Sequence, residues 1–408
     1  MKILFVGLGR IGLPISLISS NKNYKVYGFD SDKTNITNLK KNKTPFYEKG
    51  MRKLLIDNLN KNFFPVYSID KIKCNIDIIF LTIGTSIPNY PKKFSLDNLY
   101  KTLDMLISKF GLSSIYCFRT TIPVGTCDKI LKKYKNINLA FVPERLIEGD
   151  AINEEQNLPK IIGTSNTKTF KILSKFFKKI GGEIIKSSSI RTAEFSKLVD
   201  NSYRSTIFAF SNDLALTADY NNIDVYEVIN AVNYGYKRNN IPMPGFVSGY
   251  CLSKDPYIFE YSYNHIEEKK HTTWYHARKS NDYLVQFLYD KIKTNKLKKI
   301  LLLGISFKQD IDDFRMSHAI ELIKMLQNSK SKFSINLYDP NINKNKYTKI
   351  NNFISSKKIL YQSSCIEDLN LYKNIDLVII AHKHNQIKKL NKSFIKKNIV
   401  DKNIQIYD

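Results

Sequence analysis

A single cysteine in a loop is the residue of this sequence best suited to covalent chemistry. Cys251 stands in the segment Gly249-Tyr250-Cys251-Leu252-Ser253-Lys254-Asp255, directly after a stretch rich in proline and glycine. A thiolate attacks carbonyl carbons, and a neighbouring cation favours the thiolate over the thiol. With Lys254 and Asp255 just beyond it, Cys251 is a candidate activated nucleophile. The alternative is a buried structural cysteine, which is the commoner role of a lone cysteine.

Two polar residues spaced four apart could stabilise negative charge on a reacting oxygen. Lys197 and Asn201 fall in a long run with the amphipathic pattern of a helix, in which residues four apart share one face. A lysine and an amide on one face can hold a developing alkoxide. The alternative is a pair of solvated polar residues, although the apolar neighbours Phe195, Leu198 and Val199 indicate a packed helix.

Polar residues also follow several predicted strands. Glu144 and Glu148 lie four apart in Pro143-Glu144-Arg145-Leu146-Ile147-Glu148-Gly149, and two carboxylates at one rim can act as a base and position a water molecule. Thr85 and Thr121 come just after two other strands, where hydroxyl groups suit contacts to a ribose, a nicotinamide or a reacting sugar. The alternatives are charges on a surface helix for the carboxylates and helix caps for the threonines.

The segment Gly7-Leu8-Gly9-Arg10-Ile11-Gly12 follows the first predicted strand and opens a helix. Its glycines allow a tight turn and a close approach of the backbone, so a pyrophosphate can lie against the amides of the helix N-terminus. Asp30 ends the second predicted strand, where an acidic residue binds the ribose hydroxyl groups. A carboxylate there repels the additional phosphate of NADP, so NAD is the predicted cofactor.

Strands and helices that alternate in the first half, and again from residue 299, would position these residues. The predicted strands cover residues 3–6, 25–29, 76–82, 114–117, 139–142, 300–303, 334–338 and 377–381. The predicted helices cover residues 12–20, 96–110, 192–220, 224–232, 272–293 and 317–327. Such alternation is typical of a parallel sheet with helices on both faces. We therefore expect an α/β protein with two Rossmann-like parallel-sheet domains, over residues 1–190 and 295–408, joined by a helical core over residues 191–294 that could carry a dimer interface.

The composition excludes several classes of protein. The 408 residues include 64 Lys+Arg and 37 Asp+Glu, a net charge of +27, but the lysines are spread along the chain without a nucleic-acid motif. The five scattered cysteines form no CxxC pair and the histidines no metal motif, so we expect no disulfide framework and no metal. The apolar runs are too short to cross a bilayer and no leader-like segment opens the sequence, so we expect a cytoplasmic protein without a membrane partner.

Taken together, these segments resemble the UDP-glucose/GDP-mannose dehydrogenase family over essentially the whole chain. Seven motifs occur in the family's order, which is far more specific than any one of them. They are GLGRIGLP at residues 7–14, IGTS at 83–86, RTTIPVGT at 119–126, PERLIEG at 143–149, AEFSKLVDNSYR at 193–204, PGFVSGYCLSKDPY at 244–257 and GISFKQDIDDFR at 304–315.

The resemblance implies roles for particular residues. Cys251 would be the catalytic nucleophile, and the other catalytic residues would be Lys197, Asn201, Asp255, Glu144 and Thr121. The implied cofactor contacts are Gly7, Gly9, Arg10, Ile11, Gly12, Asp30, Thr85, Thr121, Glu148, Lys254 and Arg315. The implied substrate contacts are Glu144, Arg145, Lys197, Asn201, Arg238, Gly249 and Lys308. Arg238 matches an arginine that, in relatives, reaches the substrate of the partner subunit, which implies a homodimer.

The resemblance also implies a reaction. The C6 hydroxymethyl group of a UDP-sugar, bound by the C-terminal domain, would be oxidised to a carboxylate through a thiohemiacetal and a thioester on Cys251, with two NADH formed per sugar. The segments at residues 143–151 and 242–257 are most similar to the branch that acts on UDP-N-acetylhexosamines, notably UDP-N-acetylmannosamine, for surface polysaccharide synthesis. The same chemistry on UDP-N-acetylglucosamine or UDP-glucose is the alternative.

Four positions depart from the family's pattern, and two other readings stay open. Ser248 replaces a glycine, Ser253 and Ser86 replace prolines, and Asn35 replaces a lysine. These changes leave room for a catalytically degenerate relative that only binds a nucleotide sugar.

A second alternative is a single-step hydroxyacid dehydrogenase of the 6-phosphogluconate type, which also joins an NAD(P) domain to helices and uses a lysine. That class has no use for Cys251 or for a second α/β unit after residue 299.

Overall fold

Two β-sheets organise the chain, which a computed structural model describes over residues 1–85, 95–262, 271–342, 360–361, 375–389 and 405–407. One compact unit comprises Met1–Asp200 with Tyr257–Asn264, and the other comprises Asn201–Pro256 with His265–Asp408. The strands are β1 (Lys2–Val6), β2 (Lys25–Phe29), β3 (Phe63–Val66), β4 (Ile78–Leu81), β5 (Ile115–Phe118), β6 (Asn138–Phe141), β7 (Lys160–Thr164), β8 (Ile184–Lys186), β9 (Lys299–Leu303), β10 (Ser334–Tyr338), β11 (Leu360–Tyr361), β12 (Leu377–Ile380) and β13 (Gln405–Tyr407). The helices are α1 (Gly12–Asn21), α2 (Lys33–Lys40), α3 (Met51–Asn58), α4 (Asp97–Phe110), α5 (Thr126–Lys133), α6 (Ala151–Asn157), α7 (Thr167–Ile180), α8 (Ile190–Tyr220), α9 (Val225–Asn233), α10 (Asp255–Glu260), α11 (Thr273–Thr294) and α12 (His318–Asn328).

The sheet of the first unit has eight strands in the order β3-β2-β1-β4-β5-β6-β7-β8. Its neighbours are parallel except for β6 and β7, which pair antiparallel. The strand order reverses between β1 and β4, and in such sheets a ligand binds outside the carboxyl ends of the strands at the point of reversal. The loops after β1, β2, β4 and β5 therefore belong to one crevice of the first unit.

Both faces of this sheet are buried. On β1, Ile3 and Phe5 join the core on one face, while Leu4 and Val6 join the core on the other. Phe5 stacks on Phe80 of β4 with ring centroids 4.7 Å apart. Burial on both faces explains why β1 reads as a continuous apolar run without alternation, as is usual for parallel sheets.

The sheet of the second unit is parallel, with the order β11-β10-β9-β12-β13 and its reversal between β9 and β12. One face of β9 packs Ile300 and Leu302 against Val285 of α11 and Ile323 of α12. The loops after β9, β10 and β12 thus meet at the ligand-binding edge that this topology provides.

The predicted fold class is confirmed, and every predicted strand and helix is present with ends that differ by at most two residues. The strand β3 was not predicted because Pro65 interrupts it, and a proline lacks the amide that a central strand needs. As the edge strand of its sheet, β3 tolerates Pro65. The IGTS and RTTIPVGT loops therefore follow the fourth and fifth strands, not the third and fourth.

Three features bear on the expected membrane, metal and disulfide content of the described residues. No described helix is both long and apolar enough to cross a bilayer. No cluster of three histidine, cysteine or acidic side chains suited to a metal ion occurs among the described residues. Cys74, Cys117, Cys127 and Cys251 form no disulfide bond among the described residues, and Cys365 lies outside them.

Candidate active site

The glycine-rich loop of the first unit is shaped by close packing. Gly7 adopts a left-handed φ of 96° directly after β1, and its amide donates to the Phe29 carbonyl at 2.8 Å. A Cβ at Gly12 would lie 1.9 Å from the Gly7 carbonyl oxygen, so only glycine fits there. A Cβ at Gly9 would meet nothing within 4 Å. Open space thus remains over the N-terminus of α1, where a pyrophosphate fits.

Asp30 lies at the end of β2 with its carboxylate fixed by three donors. The amides of Leu8 and Asp32 each donate at 2.9 Å, and the side-chain amide of Asn35 donates at 3.2 Å. Asp30 stays half-buried, so its free lone pairs can accept from ribose hydroxyl groups. The residues present therefore fit the adenosine half of NAD. Asn35, which departs from the family's lysine, contributes one of the three bonds.

Other predicted cofactor residues come together in pairs within this unit. Arg10 forms an ion pair with Glu148 at 3.2 Å. The Thr85 hydroxyl donates to the Thr121 carbonyl at 2.9 Å and ties the loop after β4 to the loop after β5. Ile11, the last residue before α1, is half-buried. Ser86 lies outside the described residues.

Lys197 on α8 meets Glu144 in the loop after β6. The ammonium donates to the Glu144 main-chain carbonyl and lies 3.5 Å from Oε2 of the same residue. Both side chains are buried. Arg145 turns the other way and donates to the Pro159 carbonyl at 2.7 Å. The predicted lysine and carboxylate thus form one buried pair, while Glu148 pairs with Arg10 instead.

Two buried carboxylates that were not predicted hold the loops of this crevice. Glu48 accepts from the amides of Gly149 and Ala151 at 3.1 and 2.7 Å, and Glu194 of α8 accepts from those of Gly125 and Cys127 at 2.6 and 2.8 Å. Burial raises the pKa of both carboxyl groups, although these hydrogen bonds oppose the shift. The sequence could have indicated Glu194, because it lies three residues before Lys197 on the same predicted helix and therefore on the same helical face.

A buried charge cluster anchors the loop after β5. Arg119, the first residue of the RTTIPVGT motif, makes a bidentate ion pair with Glu155 of α6 at 2.9 Å, and both are buried. The Lys160 ammonium lies 3.7 Å from the same carboxylate. Burial lowers the pKa of Lys160 to about 8, although the Glu155 carboxylate acts in the opposite direction.

Replacement of Lys160 by methionine is expected to remove a pH dependence of stability. Between pH 8 and 10.5 the unfolded chain keeps the Lys160 proton and the folded chain loses it, so the free energy of unfolding rises with pH. From pH 7.5 to 9.5 the wild type should gain about 1 to 2 kcal/mol over Lys160→Met. Urea titrations at both pH values measure this gain. Lys168→Met removes an exposed lysine as the control, and equal pH curves for both variants would contradict the assignment.

In the second unit, Cys251 is exposed and lies just before α10. Its carbonyl accepts from the amides of Lys254 and Asp255 at 3.1 and 2.9 Å. The Asp255 carboxylate is fully buried and accepts from the Lys254 ammonium at 2.8 Å and from the Asn201 amide at 2.6 Å. An exposed thiol thus stands next to a buried ion pair, which is not the geometry of a structural core cysteine.

Lys254 keeps its charge in this buried place. Burial alone would lower its pKa, but the Asp255 carboxylate and the Cys251 sulfur more than offset burial, and the pKa of Lys254 is raised. Its ammonium lies 4.9 Å from the centre of the Tyr250 ring, and the Arg315 guanidinium lies 5.5 Å from the same ring. The Lys254 ammonium is thus a cation that interacts with the Cys251 sulfur, and such a neighbour favours thiolates over thiols in general.

The backbone before Cys251 is tightly constrained. Gly249 has a left-handed φ of 89°, and a Cβ there would lie 2.2 Å from the Phe307 ring. Its amide donates to the Met316 carbonyl at 3.1 Å. Ser248 and Ser253, two of the departures from the family's pattern, are both buried. Gly249 is thus fixed in place, with the two serines packed close by in the sequence.

The remaining predicted substrate residues lie elsewhere in the second unit. Lys308 is half-buried in the loop after β9. Arg238 is exposed, with its guanidinium 4.6 Å from the Tyr236 ring centre. The structure brings Asn201, Lys254 and Asp255 together around the segment of Cys251, and it leaves Arg238 on the surface of the single chain.

The loop after β9 repeats the hydrogen bonds of the glycine-rich loop in the first unit. The amides of Ile305 and Asn341 donate to the Asp339 carboxylate at 2.8 and 2.9 Å, as Leu8 and Asp32 do to Asp30. Here, however, the Ser306 hydroxyl donates to the carboxylate at 2.6 Å and His384 Nε2 lies 3.2 Å away, so Asp339 is buried. Burial alone would raise the pKa of Asp339, but these partners hold it below its ordinary value. His382 and His384 follow β12 and do not lie on it.

Known proteins and family models resemble this chain along its length. Models of the UDP-glucose/GDP-mannose dehydrogenase family match in three parts: its NAD-binding domain at residues 1–181, its central domain at 191–283 and its UDP-binding domain at 301–408. A UDP-N-acetyl-D-mannosamine dehydrogenase of Campylobacter jejuni is 30% identical over 84% of this chain and 87% of its own. A protein of the same name from Methanocaldococcus jannaschii is 27% identical over 98% of this chain and 90% of its own. The structure of a UDP-D-ManNAc dehydrogenase from Pyrococcus horikoshii, 23% identical, has the same fold, with a TM-score of 0.85 over 100% of this chain and 95% of that one.

Proposed function

Because this chain belongs to the UDP-glucose/GDP-mannose dehydrogenase family, and is therefore an NAD-dependent oxidoreductase acting on CH–OH groups, we propose that it oxidises the C6 hydroxymethyl group of a UDP-hexose to a carboxylate. The observation that carries the proposal is the exposed Cys251 thiol beside the buried Lys254–Asp255 pair. A thiol in that setting suits the covalent capture of an aldehyde.

Cys251 is assigned the covalent step. When bound, NAD would supply the hydride acceptor, one molecule for each of two successive oxidations, and the first oxidation converts the alcohol into an aldehyde. An aldehyde carbon cannot be oxidised by hydride loss until a nucleophile adds to it, and addition of the Cys251 sulfur gives a thiohemiacetal. Loss of the second hydride leaves a thioester on Cys251. Water then cleaves the thioester, which releases the carboxylate and restores the thiol.

The neighbouring polar residues are assigned to the oxygen atoms of the reaction. Lys197, oriented by its bonds to Glu144, and Asn201, oriented by Asp255, would stabilise the alkoxide that forms when the hydroxyl group loses its proton. Asp255 or Glu144 would activate the water that cleaves the thioester. The threonine Thr121 would line the reacting centre. Because the residues of the two pairs are buried and hydrogen-bonded to each other, the groups assigned to the reaction are oriented in advance.

Most contacts to NAD are assigned to the first unit, Lys254 and Arg315 of the second unit are assigned as further contacts to NAD, and the contacts to UDP are assigned to the second unit. Gly7, Gly9 and Gly12 would hold the pyrophosphate of NAD and Asp30 its ribose, since the loop is open over the N-terminus of α1. Lys308 would bind the substrate from the loop after β9. The division at residues 1–190, 191–294 and 295–408 remains our proposed domain assignment.

UDP-N-acetyl-D-mannosamine is the proposed sugar, for use in surface polysaccharide synthesis. The support is the name shared by relatives that are 30% and 27% identical to this chain over most of its length. UDP-N-acetylglucosamine and UDP-glucose differ from it only at or near C2 of the hexose, whereas the chemistry at C6 is common to all three. A choice among them changes none of the roles assigned to Cys251, Lys197 and Asp255.

We further propose a homodimer in the cytoplasm, where a reducing environment keeps the Cys251 thiol free. Large apolar side chains of the helical segment are exposed in the single chain, which favours a covering partner. They are Tyr203, Phe210, Tyr220, Ile223, Val228, Val232 and Tyr234. Light scattering is expected to give about twice the chain mass of 47.4 kDa, and a monomeric mass at micromolar concentration would contradict the dimer.

The function is tested with purified protein, NAD and a panel of UDP-hexoses. We expect NADH to form with UDP-N-acetyl-D-mannosamine and to reach two equivalents when the sugar is limiting, with a uronic acid as the product. One equivalent would favour a single-step dehydrogenase. Binding of UDP-sugars without any NADH would favour a catalytically degenerate relative.

A further inference from the structure

A buried arginine joins the two ends of the loop that carries Cys251. Arg278 of α11 has no exposed surface, and its Nη1 donates to the carbonyls of Val247 and Leu252 at 3.1 and 3.2 Å. These two carbonyls lie on either side of residues 248–251. One rigid guanidinium group therefore fixes the distance between the ends of the loop.

The orientation of Arg278 is itself set by neighbours. Its Nη2 forms an ion pair with Asp282, one turn further along α11, and lies 3.3 Å from His318 Nε2. His318, the first residue of α12, also lies 3.3 Å from the Asp282 carboxylate. The His318 ring packs edge-on against Phe246, with centroids 5.7 Å apart. The three polar side chains thus form one cluster beside the start of the loop.

Ion pairing alone does not explain this arrangement. Asp282 already supplies the carboxylate that a buried guanidinium needs. The other Nη group of Arg278 nevertheless donates hydrogen bonds to two carbonyls of the loop. The middle of the loop is held separately, by Gly249 against Phe307 and by the bond from its amide to Met316. The backbone is fixed at both ends and in the middle, while the thiol stays exposed.

We propose that Arg278 is a positioning residue for Cys251, and that Asp282 and His318 orient it. The proposal rests on the proposed function, since it assumes that Cys251 must meet a reacting carbon. Misplacement of a reacting atom by about 1 Å can cost about 100-fold in rate, so a loop that drifts would capture the aldehyde slowly. The first oxidation, which needs no thiol, would be spared.

The test uses the full-length Arg278→Lys variant, because lysine keeps the charge but cannot bond two carbonyls and Asp282 with one planar group. We expect kcat for uronic acid to fall about 10- to 100-fold, with KM for UDP-sugar and for NAD within about twofold of the wild type. Free aldehyde, trapped with semicarbazide, should appear with the variant and not with the wild type. Asp282→Asn should lower kcat for uronic acid and release free aldehyde as well, each by a smaller factor. It replaces Arg278→Lys as the test variant if Arg278→Lys does not fold. Lys279→Met, which changes the exposed neighbour on the same helix, is the control.

Amide hydrogen exchange gives a readout that needs no catalysis. Residues 248–252 should exchange at least about tenfold faster in Arg278→Lys than in the wild type, with the β9 amides unchanged. If Arg278→Lys shows the same amide exchange and the same aldehyde release as the wild type, Arg278 does not position Cys251. If the wild type forms no NADH with any UDP-hexose, but residues 248–252 exchange faster in Arg278→Lys, the proposed function is refuted and the role of Arg278 in fixing the loop is kept.

Discussion

Cys251→Ala is expected to abolish uronic acid formation while UDP-sugar binding stays close to that of the wild type. Removal of a covalent nucleophile costs about 10⁴-fold or more in turnover, because no other group can add to the aldehyde at a comparable rate. The variant should yield at most one NADH per sugar in a single turnover, against two for the wild type. The measurement is NADH absorbance with limiting UDP-sugar, paired with calorimetry for binding.

Three further thiols, those of Cys74, Cys117 and Cys127, serve as controls for Cys251. Cys74→Ala removes a half-buried cysteine of the first unit and should leave turnover unchanged. Iodoacetamide should modify Cys251 before Cys117 or Cys127, since both of those are fully buried. Full acid formation by Cys251→Ala would refute the covalent mechanism.

Asp255→Ala is expected to lower the free energy of unfolding by about 3 to 5 kcal/mol, since it leaves the Lys254 ammonium buried without its carboxylate. The double variant Lys254→Met/Asp255→Leu should recover most of that stability, because an apolar pair of similar volume avoids the desolvation of two charges. It should nevertheless form no uronic acid. Urea unfolding and NADH assays on the three proteins measure both effects.

An exposed ion pair supplies the comparison for Asp255. Lys133 and Asp104 lie 3.0 Å apart with about half of each side chain exposed, so Asp104→Ala should cost less than about 1 kcal/mol. If Asp255→Ala costs no more than Asp104→Ala, the buried pair does not have the strength assigned to it. If the double variant turns over sugar normally, Lys254 and Asp255 have no part in the chemistry.

Features that depend on neighbours in the sequence were predictable. The turn at Gly7–Gly12 and the helix with Lys197 and Asn201 follow from local spacing, because tight turns and helical faces are set within a few residues. The boundaries of the central strands follow from their apolar runs. Which of the predicted site residues act in catalysis remains to be tested by the variants above.

Features that depend on distant contacts were not predictable. Arg278 is one of 64 basic residues, and its partners Val247, Leu252 and His318 lie 26 to 40 positions away. One signal was available, because Arg278 lies seven residues before Val285 and fourteen before Ile292, on the buried side of α11. A charged residue in an apolar register is worth examining for a structural or functional role.

Asp30 and Asp339 share two backbone donors at matching positions, but Asp30 is half-buried, whereas Asp339 is buried because it also accepts from the amide and hydroxyl of Ser306 and lies against His384. An enzyme that binds two different nucleoside diphosphates at two similar loops is open to competitive inhibition, because each ligand can occupy the binding site of the other. Because Asp339 is buried, it cannot accept hydrogen bonds from the ribose hydroxyl groups of NAD, as Asp30 can. The second unit therefore disfavours NAD without having to recognise its nucleobase. Saturating NAD should therefore leave the affinity of the second unit for the nucleotide sugar unchanged.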